Sequence, residues 1–269
     1  MEIGENRTAV KALVLISFVL MIVVNTLANL LPLNGITTAE VSALYENLFT
    51  PAGFTFAIWG LIYLLLAAYT LYMLGLFRGN RSKANNELAR RVGILFSLSS
   101  LANAAWIFSW HYDYIPLSTL LMAIILLCLI LINKAINKQE LTRRDKFFIR
   151  LPFSVYFGWI TVAAVANVTV LLVSLGWNGF GLSEELWTVI ILIVAALIGT
   201  VTSITNMDMA YDAVLIWAYF GILAKHISQS GYSWEYPAVV ITAASCLVLF
   251  AAVLVFIFLS RRRTSGQKT

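Results

Sequence analysis

The fold class this sequence predicts is an all-α integral membrane protein of about eight transmembrane helices, and three observations predict it. The 269 residues are 61% hydrophobic and only 12% charged, where soluble domains run at roughly 45–50% and about 25%. The apolar residues come in runs of about 20, the length that crosses a hydrocarbon core. The basic residues collect in alternate connections, as the positive-inside bias requires.

Taken in order, the runs predict helices at 10–31, 53–77, 92–110, 115–133, 148–173, 186–205, 210–228 and 237–260. The first, Ala9 to Leu31, is too long for a signal-peptide core and is followed by Pro32-Leu33-Asn34-Gly35 rather than a small-residue cleavage site, so a retained helix is expected. Pro32 and Pro51 flank the first connection, Pro116 opens the fourth helix and Pro237 the eighth. Arg7 and Lys11 precede helix 1. Arg78, Arg81, Lys83, Arg90 and Arg91 lie between helices 2 and 3, Lys134 through Arg150 between helices 4 and 5, and Arg261, Arg262, Arg263 and Lys268 after helix 8. All but Lys225 of the 18 basic residues thus fall on one face, which predicts eight spans with both termini cytoplasmic; a count of seven would break the alternation. This pattern suits a bacterial inner or plasma membrane.

Several function classes lose support at this stage. The net charge of +5 is spread beside apolar spans as topology signals, which argues against nucleic acid as a partner. Cys128 and Cys246 lack CxxC spacing, and His111 and His226 lack metal-ligand spacing, so neither a metal nor a disulfide framework is expected. No serine–histidine–acid set, phosphate loop or paired carboxylate stands out, and no enzyme is predicted. The partner expected at this stage is the lipid bilayer.

The candidate ligand site comes from polar and aromatic residues inside the spans. Trp59 and Tyr63 are four apart on one face of helix 2, and Gly60 allows a helix or a flat ligand to approach the backbone. Helix 3 carries Asn103 and Trp106, with Trp110 a turn further. Helix 5 carries Trp159, Ala163 and Asn167, the first and last eight apart on nearly the same stripe. Amides in hydrocarbon need hydrogen bonds, so Asn103 and Asn167 are expected to face the interior. Asn25 and Asn29 pair on helix 1 near the first connection, whose length of about 20 residues makes it a candidate lid. Packing of helices alone accounts for these features as well as a ligand does, and the residues do not choose between the two.

Together these motifs resemble the TspO, or translocator-protein, family of tryptophan-rich sensory proteins. The resemblance rests on Pro51 with Trp59-Gly60-Leu61-Ile62-Tyr63, on Asn103-Ala104-Ala105-Trp106, and on Trp159 with Asn167. It covers about residues 10–175 and implies a TspO-like five-helix core at 1–175 with a three-helix membrane extension at 176–269. It further implies a pocket under the first connection for a flat hydrophobic ligand, such as a porphyrin or haem-like molecule, lined or supported by Trp59, Tyr63, Asn103, Trp106, Trp159, Ala163 and Asn167. No other cofactor is implied. The family's double proline is here Thr50-Pro51, and Pro152 lies seven residues before Trp159 rather than four. The basic sterol-associated motif is absent, so sterol binding is not expected. The last three helices either complete an interface of the kind a homo-oligomer makes or act separately through Trp217, Tyr219 and Lys225. The functional expectation is a ligand-binding sensor or transport-related protein, with a secondary transporter of a small solute and a structural membrane partner as the alternatives.

Overall fold

The computed structural model describes residues 2–31, 33–77 and 84–266, with side chains from residue 7 to residue 263. Pro32, Arg78, Arg81, Lys83 and Lys268, used above as breaker and topology signals, lie outside the described residues. The described secondary structure is helical: α1 (Glu2–Leu30), α2 (Thr38–Leu44), α3 (Ile58–Leu74), α4 (Asn86–His111), α5 (Ile115–Asn137), α6 (Arg143–Asp145), α7 (Leu151–Ser174), α8 (Glu184–Asn206), α9 (Met209–Ile227) and α10 (Pro237–Gly266). Among the described residues seven helices are long and apolar enough to cross a membrane. The seventh expected span, 210–228, is present as α9, but it is not among those seven; Asp212 in its first turn and Lys225 and His226 in its last make it the more polar helix.

The contacts divide the chain into two compact units, one of residues 1–41 and 58–160 and one of residues 42–57 and 161–269. In the first, α1 packs on α4 and α3, and α4 packs on α5. A Cβ on Gly93 would come within 2.7 Å of Val10, so glycine is what lets α1 and α4 approach. Below that contact Tyr69, Phe96 and Phe153 meet edge to face, with centroids 4.7 to 5.7 Å apart, the arrangement that ring quadrupoles favour. Asn85 caps α4 by accepting from Leu88 N at 2.7 Å, and Pro116 sits in the first turn of α5, where its missing N–H is not needed.

The fifth span runs over Arg143–Ser174 and contains a π-turn at Lys146–Arg150, directly before Pro152. A proline in continuous α-helix removes one backbone bond and collides with the preceding turn, and a π-turn is a local way of widening that turn. The start is fixed by a capping box, in which Thr142 and Asp145 bond each other's backbone, and the buried Asp145 also accepts from the Tyr72 hydroxyl at 2.6 Å.

In the second unit α8 and α9 both pack on α10, and α9 carries the 3-10 turn Gly53–Ala57. Gly221 makes that contact: a Cβ there would lie 2.0 Å from the Thr55 hydroxyl oxygen. The turn is held by Ala52 N donating to Gly221 O at 3.0 Å and Trp217 Nε1 donating to Thr55 O at 2.9 Å.

Candidate functional site

The first connection is a structured strap whose two halves are anchored separately. Its first half is tied to the end of α4: Asn34 Nδ2 donates to His111 O at 3.1 Å, Trp110 Nε1 donates to Thr38 O at 3.1 Å, and Thr38 Oγ1 pairs with His111 Nε2 at 3.1 Å. In the other half, His226 Nε2 donates to Leu48 O at 2.9 Å and the Tyr232 hydroxyl donates to Asn47 O at 3.2 Å. Backbone that would be mobile in a solvated linker is here hydrogen-bonded to helix ends.

In the first unit the rings gather around Trp59, at the start of α3. Tyr63 stacks on it at 5.5 Å and Trp106 lies tilted against it at 6.4 Å. Tyr156 and Trp159 meet it edge-on at 6.1 and 6.2 Å. Trp110 stacks on Trp106 at 5.6 Å and so links the cluster to the strap. Trp59 and Tyr63 are half-buried, whereas Trp106, Tyr156 and Trp159 are buried. Among the described residues nothing outside its own turn of helix lies within 4 Å of where a Gly60 side chain would begin, so the close approach expected there is made by no described helix and that face is open.

A chain of hydrogen bonds runs beside the rings. The Tyr63 hydroxyl donates to Asn25 Oδ1 at 2.6 Å, and Asn25 Nδ2 donates to Asn103 Oδ1 at 2.7 Å and to Met21 O at 2.8 Å. This meets the requirement that a buried amide be paired, but only in part. Asn103 Nδ2, Trp106 Nε1 and the Tyr156 hydroxyl are buried with no hydrogen-bond partner, and Tyr156 lies beside Asn103 without a well-formed bond between them. Leaving a buried donor unpaired costs about 1–3 kcal/mol. Three such donors beside one set of rings make a polar edge that would receive acceptor atoms.

Five of the seven expected site residues, Trp59, Tyr63, Asn103, Trp106 and Trp159, therefore lie in the first unit, and the rings among them converge on Trp59. Ala163 and Asn167 belong to the second unit, where Asn167 is buried and Ala163 half-buried. Tyr156 was not among the expected residues, although its place three before Trp159 puts both on one helical face. Asn25 was expected near the strap, and it is in fact the hub of the hydrogen-bond chain.

A sequence profile of the family described as TSPO-like protein matches residues 11–257. The chain belongs to the TSPO-like protein family. The match continues through α8, α9 and α10, beyond residue 175, where the resemblance in the sequence was expected to end. No curated protein and no solved structure matches the chain. Among the described residues no group of three or more His, Cys, Asp or Glu side chains is placed to hold a metal ion.

Proposed function

We propose that this TSPO-like protein binds a flat hydrophobic ligand of the porphyrin class at the Trp59 cluster, as a membrane sensor or transport-related protein with no catalytic step. The observation that carries this reading is the pairing of ring walls with unpaired donors. Trp59, Trp106 and Trp159 offer apolar faces, while Asn103 Nδ2, Trp106 Nε1 and the Tyr156 hydroxyl make no well-formed hydrogen bond among the described residues. A planar molecule with carbonyl or carboxylate edges matches both. The half-buried Trp59 and the open face at Gly60 give it a side to enter from. The distribution of lysine and arginine supports termini on the cytoplasmic side of a plasma or inner membrane.

Absorbance titration of protoporphyrin into the detergent-purified protein tests the reading. Saturable binding is expected, weakened roughly tenfold or more when Trp59 and Trp106 are both replaced by leucine. A folded wild-type protein that does not saturate ends the tetrapyrrole reading.

One observation favours a second reading, secondary transport of a small solute. Asp212, on the polar helix α9, is buried beside the Ser203 hydroxyl, and among the described residues neither carboxylate oxygen makes a well-formed hydrogen bond. Ionisable groups in such surroundings commonly serve ion or proton coupling. Proton-dependent solute uptake into liposomes, abolished by Asp212→Asn, would support it, and uptake insensitive to that change would not.

A further inference from the structure

The second unit contains a cavity that the Trp59 site does not use. It is a cleft of about 400 Å³, open on one side and lined by Glu46 from the strap, Trp177 after α7, and Glu184, Trp187, Thr188 and Ile191 from the start of α8. We infer that this cavity is a binding site for an amphipathic organic ammonium ion, held by the Trp177 and Trp187 rings and by the Glu46 and Glu184 carboxylates.

The walls are built rather than accidental. Trp177 and Trp187 lie 4.8 Å apart at 56°, both half-buried. The Trp187 indole N–H donates to Gly179 O. Gly179 has φ +61°, and any Cβ there would come within 2.7 Å of the Trp187 ring, so glycine is required for the indole to sit flat on the backbone. Tryptophans that only anchor a helix at the membrane surface point to headgroups; here one uses its N–H inside the loop, and both rings line the cavity.

The charge is the other half of the argument. Glu46 and Glu184 are exposed carboxylates at the lining. The neighbouring Tyr232, outside the membrane-spanning segments, has its hydroxyl pushed up to about 12 by burial and then by Glu184, Glu46 and Glu235, so several carboxylates act on the same place. Lys225 is the basic residue near them, and its ammonium already sits over the Tyr232 ring, 5.1 Å from the centroid. That contact is an internal instance of the proposed chemistry. Among the described residues, one lysine is set here against Glu46, Glu184 and Glu235. Aromatic faces with carboxylates at the rim are how quaternary ammonium groups are recognised, and the volume falls within the range of small-molecule sites. An anionic porphyrin would be repelled here, because its carboxylates would meet Glu46 and Glu184.

The test is isothermal titration of benzyltrimethylammonium into the full-length protein in a non-ionic detergent. Neopentylbenzene, in which carbon replaces the quaternary nitrogen, serves as the neutral competitor. Saturable one-to-one binding is expected, roughly tenfold or more weaker in the Glu46→Gln/Glu184→Gln variant and in Trp187→Leu. Trp187→Phe, which keeps a ring, should retain most of the affinity, and the Trp59/Trp106 double replacement and Glu87→Gln, which removes a carboxylate from the first turn of α4, all of it. Helical circular dichroism confirms that each variant is folded. Four results would overturn the inference: no saturation in the wild type, equal binding of the neutral analogue, wild-type affinity in the folded carboxylate variant, or loss of binding on replacing Trp59 and Trp106.

Discussion

Replacing Asn25 by alanine should destabilise the first unit out of proportion to the size of the side chain removed. Asn25 joins three helices: it accepts from Tyr63 on α3 at 2.6 Å and donates to Asn103 on α4 at 2.7 Å. The variant leaves the Tyr63 hydroxyl and Asn103 Oδ1 without these partners, and Asn103 Nδ2 already has none. An interhelical hydrogen bond in a membrane protein is worth about 0.6 kcal/mol on average and up to about 1.7, so losing two should cost about 1–3 kcal/mol. A double-mutant cycle with Tyr63→Phe isolates one of them and should return a coupling of about 0.6–1.7 kcal/mol. Unfolding is followed by circular dichroism against increasing denaturing detergent in mixed micelles. Asn29→Ala serves as control, because Asn29 Nδ2 bonds only the Asn25 carbonyl one turn back, at 2.8 Å. A cycle returning zero, or an Asn29 variant as damaged as the Asn25 one, would refute the hub.

Three further outcomes follow from particular contacts. Gly221→Ala should cost about 1–3 kcal/mol by overpacking, because its methyl would meet Thr55 Oγ1 at 2.0 Å; the same unfolding assay measures this, and Gly60→Ala, which meets nothing within 4 Å, should be neutral in the absence of ligand. Asn47→Ala should raise amide exchange at Phe49 and Thr50, since Asn47 Oδ1 accepts from both backbone N–H groups at 3.1 and 2.8 Å; unchanged protection factors would contradict this. The Glu40 carboxyl is held below its ordinary value by hydrogen bonds from the Thr37 backbone and hydroxyl. A folded value below the unfolded one means that its support of the α2 start is complete above the unfolded value and lost as pH falls through the folded one, and carbon-detected NMR titration of Glu40 should show the midpoint on the acid side of an ordinary glutamate.

Much of the fold was legible because hydropathy and prolines act locally. Runs of apolar residues mark spans wherever they fall, and Pro116 and Pro237 lie in the first turns of α5 and α10. The tryptophans, Tyr63 and the asparagines could be grouped because spacings of three, four and eight put them on shared faces. What was not legible depends on partners distant in sequence. The strap reads as one loop, yet its first half bonds to His111 and Trp110 and its second to His226 and Tyr232. The π-turn before Pro152 widens a helix with no change in composition. Nor does any spacing join Glu46 to Trp177 and Trp187, which a folded loop brings to one cavity. The polar α9 was counted as a span because its centre is apolar, although Asp212, Lys225 and His226 leave it short of the hydropathy of the other seven.

The most direct test of the central claim is to watch the indole N–H groups while a porphyrin binds. The chain has eight tryptophans, so indole-15N labelling gives a spectrum small enough to assign by single replacements to phenylalanine. On titration with protoporphyrin, the Trp106 Nε1–H resonance should move downfield as its unpaired donor gains an acceptor, Trp59 should shift by ring current, and Trp177 and Trp187 should stay where they are. Saturable shifts confined to Trp177 and Trp187, or bound porphyrin with Trp106 unmoved, would contradict the placement of the ligand site.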